Sequence, residues 1–422
     1  MQPGTSTPPL GTPELRPAQT PRSFSRATPP SSTRSIPPSA PRSSPPSGGA
    51  NPLSGTRTLP PRSSKSIPPG PPQSSYPPPP TASLTPLPPK ADFGLMTPAR
   101  RVVEELLGVL PTDRVVIVHD DANLDVAVAF EHATTERGAS AVRLPWGNPG
   151  LRPLLGCPPP VLEAIKTATA TVLAVTVEEG EYDARYALVT AAGAARTRHV
   201  HMIGTGRRAF IASMMASTGR VFDLLQSLRS SMRPSSKLHV RSPAGTQLEI
   251  EMAPHLRWFA NGHAVVPGQW VNVPFGALIG SPATVNGTYV VDAAISGGIG
   301  ARAGLLDTRP LKMTIEGGRV RRVECSDLSL KRYVEMFMTE AQNRDRVGLL
   351  SLGANLGIRE PIGEILHDEN MPGLHLSVGD PHSTRTGATW SAYGQLAFAS
   401  AGLDVDLDGE PLIRRGRYVR FV

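Results

Sequence analysis

Short, continuously apolar runs alternate with helix-length segments from Arg114 to about residue 235, and this alternation restricts the fold more than any other feature of the chain. "RVVIVHDD" (114–121) has the continuous apolarity of a strand buried on both faces. A helix is expected from Asn123 to Arg137, with Leu124, Val128 and Ala129 inward and Gly138 past its end. "SAVRL" and "TVLAVTV" read as strands, "PPPVLEAIKTA" and "ARYALVTAAGAA" as helices, and "RHVHMIG" (198–204) as another strand. Upstream, Thr97-Pro98 reads as a helix start, with Val102, Val103, Leu106, Leu107 and Leu110 at helical spacing. Strand following helix in this order predicts an open parallel α/β sheet.

The pattern then changes. "KLHVRS", "TQLEIEM", "RWFANGHAVV", "GTYVVDAAI" and "LHLSVGD" are short alternating runs separated by Gly and Pro. "IEGGRVRRVE" is a hairpin, with Gly317-Gly318 between two strands. One helix, at about 328–345, carries Leu330, Val334, Phe337, Met338 and Ala341 on one side. Residues 236–422 are therefore expected to form an α+β, antiparallel-rich domain after an α/β domain at 96–235.

Residues 1–95 read differently. Residues 1–90 hold 27 of the 46 prolines, nine basic residues and one acid, Glu14. A chain this poor in large apolar side chains cannot offset its ordering entropy, so a disordered tail of polyproline II character is expected. The tail carries the whole +8 net charge, and residues 91–422 have 34 basic and 34 acidic residues. A neutral body argues against nucleic acid as a partner. No apolar run approaches the roughly 20 residues of a membrane helix, and no signal peptide is visible. With only Cys157 and Cys325, neither a disulfide framework nor a CxxC metal site can form; both read as thiols in a reducing cytoplasm.

Candidate chemistry centres on "PGLHLSVGDPH" (372–382), which places His375, Asp380 and His382 within eight positions. Imidazole titrates near neutrality and suits proton transfer. Each residue also has a plainer reading: His375 as a core histidine satisfied by a backbone carbonyl, Asp380-Pro381 as a turn, His382 as a loop histidine. Strand alternation sets positions 375 and 380 on opposite faces if the strand runs straight through. Tyr393 reads either as a phenol partner or, with Trp390, as core; Glu369 in "HDEN" reads as a base or a loop charge. "GTGRR" (204–208) lacks the third glycine and the acid of a dinucleotide fingerprint and reads as a turn. "AISGGIGARAG" (294–304) reads as a flexible loop, and no GxSxG motif is present.

Six segments carry a resemblance: "VRSPAGTQLEIEM" (240–252), "NVPFGALIGSP" (272–282), "GTYVVDAAI" (287–295), "LGANLGI" (352–358), "HDENMPGLHLSVGD" (367–380) and "VDLDGEPLIRRGRY" (405–418). In order and spacing they resemble the thermophilic leucyl aminopeptidase (aminopeptidase T) family, which also includes ring-cleaving dihydroxypyridine dioxygenases. The resemblance covers about 97–422. It implies a Rossmann-like N-terminal domain, a C-terminal catalytic domain and a homodimer. Its aminopeptidases use two divalent metals; its dioxygenases hold one iron with two histidines and an aspartate. The family's first metal-binding glutamate falls on Ala277 and its second beside Leu349, Leu350 and Ser351. The family histidine is kept as His375, an aminopeptidase tyrosine corresponds to His382, and a His-x-Asp pair falls on Tyr393-Gly394-Gln395.

Alanine and leucine cannot ligate a dication. The expectation is therefore an aminopeptidase-like cleft without metal or other cofactor. It binds and modifies a peptide, as in the tailoring of ribosomally made peptides, with His375, His382 and Tyr393 moving protons. Asn272, Asp292, Glu369, Asp380 and Gln395 are expected to line the cleft. Two alternatives stand beside it: a metallo-aminopeptidase with substituted ligands, and a non-catalytic peptide-binding scaffold.

Overall fold

The structure is a computed structural model, and it describes residues 92–147 and 150–421. The expected tail lies outside the described residues except for 92–95, of which Asp92 caps a helix and 93–95 begin it. Helix α1 (Phe93–Arg101) starts earlier than Thr97-Pro98 suggested. Asp92 caps it by accepting from the Gly94 N–H at 2.8 Å, and Leu95 is buried one turn before Pro98. A π turn at Val102–Leu106 then ends the helical stretch. Leu110, expected inward, therefore falls beyond the helix and is 56% exposed.

The parallel strands are β1 (Arg114–His119), β2 (Ser140–Pro145), β3 (Ala170–Val175) and β4 (Arg198–Ile203). They are connected by α2 (Leu124–Glu136), α3 (Pro159–Ile165) and α4 (Tyr182–Ala194). The order is β2-β1-β3-β4, all parallel. All six residues of β3 are buried, as a central parallel strand requires. Leu124, expected inward, opens α2 at the solvent and is half-exposed, whereas Val128 and Ala129 are buried. Two further helices follow, α5 (Arg207–Ser213) and α6 (Thr218–Ser231).

The chain then builds two antiparallel sheets. The larger has eight strands. It contains β5 (Lys237–Arg241) and β6 (Gln247–Glu251), while the edge of the smaller sheet is β7 (Trp258–Asn261). The next strand, β8 (Trp270–Asn272), crosses the expected 235/236 boundary and pairs with β4 as the fifth parallel strand. The smaller sheet takes β9 (Ala277–Gly280), and the larger takes β10 (Thr284–Val291). The expected flexible loop at 294–304 is instead ordered around helix α7 (Gly297–Ala303), because its small residues allow close packing. A Cβ on Gly300 would stand 2.0 Å from the Ile295 carbonyl oxygen.

The hairpin around Gly317-Gly318 joins β11 (Leu311–Glu316) to β12 (Arg319–Glu324), and α8 (Leu328–Thr339) follows. The smaller sheet is completed by β13 (Val347–Gly353), β14 (Gly373–Gly379) and β15 (Gln395–Phe398), in the order β15-β14-β13-β9-β7. Short helices α9 (Ile365–Asp368) and α10 (Ser383–Thr386) flank β14. β16 (Asp404–Leu407), β17 (Glu410–Arg414) and β18 (Arg417–Tyr418) close the larger sheet. One apolar core runs from Leu95 to Tyr418 and joins the parallel sheet to both antiparallel ones. A second, smaller core packs α3 and α4 on the other face of the parallel sheet.

Candidate functional site

Registered partners in a sheet share a face, so the smaller sheet can be read position by position. Phe259 pairs with Ile279, Ile279 with Ser351, and Ser351 with His375. Ala277 pairs with Gly353 and Leu349 with Ser377 on the same face, and Gln395 joins it opposite Gly379. Of the positions that the resemblance assigns to ligands, Ala277, Leu349, Ser351, His375 and Gln395 share one sheet face, whereas Leu350 lies on the other face and His382 and Tyr393 lie outside the strands. Ala277 and Leu349 are buried and apolar. Among the described residues, no group of three His, Cys, Asp or Glu side chains is placed to hold a metal ion. Alanine and leucine side chains offer no atom that could ligate a dication at these positions.

His375 is the plainest case. Its Nε2 lies 2.9 Å from the Met371 carbonyl oxygen, and its Nδ1 accepts from the Ser400 N–H at 3.3 Å. Donation to a carbonyl fixes the proton on Nε2 and leaves neither nitrogen for substrate. Burial holds its pKa down at about 4, so the ring is neutral. This geometry matches the plainer of the two sequence readings, a core histidine satisfied by a backbone carbonyl, and the side chain ties β14 to the 400–401 segment. Asp292 holds the same segment by accepting from the Ala401 N–H at 2.8 Å, and burial raises its pKa. Glu369 is half-buried just past α9, and burial pushes its carboxyl up to about 7.

The second expected proton carrier, Tyr393, stands apart from His375. It is 62% exposed rather than core, edge-on to Tyr182 at 6.1 Å, with its hydroxyl 3.5 Å from Asp183 on α4. Asn272, on β8, donates its backbone N–H to the Asn261 side chain at 3.3 Å.

The structure does bring His382, Asp380 and Gln395 together. β14 ends at Gly379, so the alternation rule no longer applies at Asp380. Asp380 Oδ1 accepts from the His382 N–H at 2.9 Å, which turns the chain and sets His382 in the left-handed region at φ 49°. Gln395 pairs with Gly379 at the end of β14, and the Asp380 N–H donates to the Gly394 carbonyl at 2.9 Å, which keeps Gln395 next to this turn. Burial lowers the pKa of the His382 imidazole, and the nearby Asp380 carboxylate opposes that shift.

Two residues that the sequence reading missed complete this cluster. The Phe259 ring stacks on His382 at 6.4 Å, and the Arg385 guanidinium lies 3.7 Å from the centre of the same ring. Phe259 belongs to β7, which among the described residues pairs with β9 alone and forms the edge of the smaller sheet. Beside it runs a groove of about 480 Å³ lined on one side by Phe222, Leu225 and Arg229 of α6 and on the other by Ala260 and Arg385. His263 also lines the groove, no acid does, and neither Arg229 nor Arg385 forms an ion pair among the described residues. The aromatic residue in "RWFANG" was visible as a signal, but its partner 123–126 positions away was not.

The family model described as NicX, 2,5-dihydroxypyridine 5,6-dioxygenase, matches residues 97–354. No curated protein matches the chain. Among solved structures, the chain is similar to 2,5-dihydroxypyridine dioxygenase from Pseudomonas putida KT2440. The identity is 17% and the TM-score 0.56, over 77% of this chain and 97% of that one. It is also similar to wild-type AmpT from Thermus thermophilus, at 16% identity and a TM-score of 0.57, over 77% of this chain and 99% of that one. At these identities the structural likeness establishes a shared mixed α/β architecture of one parallel and two antiparallel sheets. With the family model covering more than half its length, the chain belongs to the NicX family.

Proposed function

We propose that this protein is a member of the family that recognises an extended peptide without a metal centre. The observation that supports this reading is the open edge of β7 beside a cationic groove. An edge strand offers backbone N–H and C=O groups to an incoming strand. Arg229, Arg385 and His263 favour a peptide that carries carboxylates, as acidic side chains or a C-terminus. Ala277 and Leu349, which offer no donor atom at the positions aligned with metal-binding glutamates, weigh against the alternative of an aminopeptidase with substituted ligands.

One observation favours a second reading, modification of the bound peptide. His382 stacks on Phe259, which lines the groove, with the Asp380 carboxylate in the same turn, and this pairing of imidazole and carboxylate suits proton transfer to a bound peptide.

The test pairs metal analysis with peptide binding. The purified protein is expected to contain no stoichiometric zinc, manganese, cobalt or iron. In a fluorescence-anisotropy screen of acidic and basic decapeptides, it should bind the acidic ones. Arg385→Ala should weaken that binding about tenfold, as expected for loss of one charge-assisted contact. Stoichiometric metal, or acidic and basic peptides bound equally, would end the proposal. Covalent change of the peptide that disappears in His382→Ala would establish the second reading.

A further inference from the structure

A second cavity, away from the β7 groove, lies at the carboxyl ends of the parallel strands. The strand order reverses between β1 and β3, and open α/β sheets part at such a point to leave a crevice. Here the crevice is about 280 Å³. Asn123 lies beyond β1, Thr176 beyond β3, and Thr205 beyond β4, while Ile295, Ala301 and Glu364 cover it from the later part of the chain.

Most of the polar lining is already committed. Thr176 Oγ1 donates to Asp120 at 2.6 Å, Asn123 Nδ2 donates to Asp120 at 2.8 Å, and Thr205 Oγ1 donates to the Val273 carbonyl at 3.1 Å. Two acceptors are left. Glu364 Oε2 accepts from the Gly206 N–H at 2.8 Å, but Oε1 takes no hydrogen bond among the described residues, and neither does Asn123 Oδ1. The nearby cations are engaged elsewhere: Arg207 with Asp92 at 2.7 Å, and Arg208 with Glu360 at 2.9 Å. Glu364 is thus a half-buried carboxylate with no ion-pair partner among the described residues, in a mainly apolar pocket, and burial raises its pKa. The same carboxylate occupies the Gly204-Thr205-Gly206 turn, so an anion would meet like charge there. A dication would find one carboxylate and no cluster.

From this cavity and its unpaired carboxylate, we propose that the crevice binds a compact apolar primary amine. The ammonium would donate to Glu364 Oε1 and Asn123 Oδ1, and the alkyl group would pack against Ile295 and Ala301. The inference goes beyond the peptide-groove reading and stands independently of it.

Calorimetric titration with 3-methylbutylammonium chloride tests the proposal, with 3-methylbutanol as the neutral isostere. The amine should bind the wild-type protein, and the alcohol should bind at least tenfold more weakly. Glu364→Gln, which keeps the shape and the Gly206 bond, should weaken the amine at least tenfold and leave the thermal midpoint the same or higher. Ala301→Leu, which fills the crevice, should abolish both. Arg385→Ala in the β7 groove should leave amine binding intact, so failure at one site is distinguishable from failure at the other. The proposal is overturned if the amine does not bind at millimolar concentration, if the alcohol binds equally well, or if Glu364→Gln binds the amine like wild type.

Discussion

His375 and Glu369 lie six positions apart and respond to pH in opposite senses. His375 is buried and neutral, with its pKa near 4 instead of 6.5. The unfolded chain therefore binds more protons than the native one between those values, and stability is lost as pH falls through that window. Glu369 has its carboxyl raised from 4.5 to about 7. Here the native state holds the extra proton, so stability is lost as pH rises from about 4.5 to 7. The two slopes oppose each other between about pH 4.5 and 6.5. Glu369→Gln removes one of them. The variant should melt at about the wild-type temperature at pH 4 but higher at pH 8. An ionised, half-buried carboxylate costs on the order of 2 kcal/mol, equivalent to roughly 2–4 °C for a chain of this size. Equal shifts at both pH values would show that Glu369 acts through packing and not through its proton. The sequence offered His375 as a core histidine held by a backbone carbonyl, but not the burial of Glu369, which lies between α9 and β14 and whose carbonyl accepts from Ser351 Oγ of β13, 18 positions upstream.

At the scale of the element, β7 decides whether the peptide reading holds. A strand that adds to its open edge needs the outward backbone groups of the Ala260 region. Proline there removes the N–H and is tolerated at a sheet edge. Ala260→Pro should therefore lower peptide affinity at least tenfold while the circular dichroism spectrum and the thermal midpoint change little. Unchanged affinity would remove strand addition as the mode of binding. If the protein dimerises through this edge, the same variant will instead convert dimer to monomer in sedimentation, and the groove will be a self-interface. The elements themselves were unevenly legible. β1, β3 and the Gly317-Gly318 hairpin follow from local apolar runs and turn chemistry. β8, three residues long, had no local signal, because its reason for existing is the exposed side of β4. The His382–Asp380 turn was legible because its residues are neighbours in sequence. Phe259 and Arg385 were not, because only the tertiary fold brings them together.

In the molecule as a whole, the return of β8 interlocks segments that the sequence pattern separates. Trp270–Asn272 pairs with His199–His201, the Val265 N–H donates to the Leu106 carbonyl at 2.8 Å, and Gly268 donates to Thr197 at 3.0 Å. The larger core includes Val200 of the parallel sheet together with Leu278 and Leu352 of an antiparallel one, all buried. Separate unfolding of the α/β part would expose that shared apolar surface and strip the edge of β4, so the two parts should lose structure together. Two tryptophans report on this independently. Trp146 is buried in the smaller core among α3 and α4, and Trp258 packs on β9. Variants that keep only one of them as the sole tryptophan, with the others changed to Phe, should give guanidinium midpoints that coincide within error. If the Trp146 transition comes clearly before or after the Trp258 transition, β8 is a surface patch between two independently stable parts, and the shared core does not bind them into one cooperative unit.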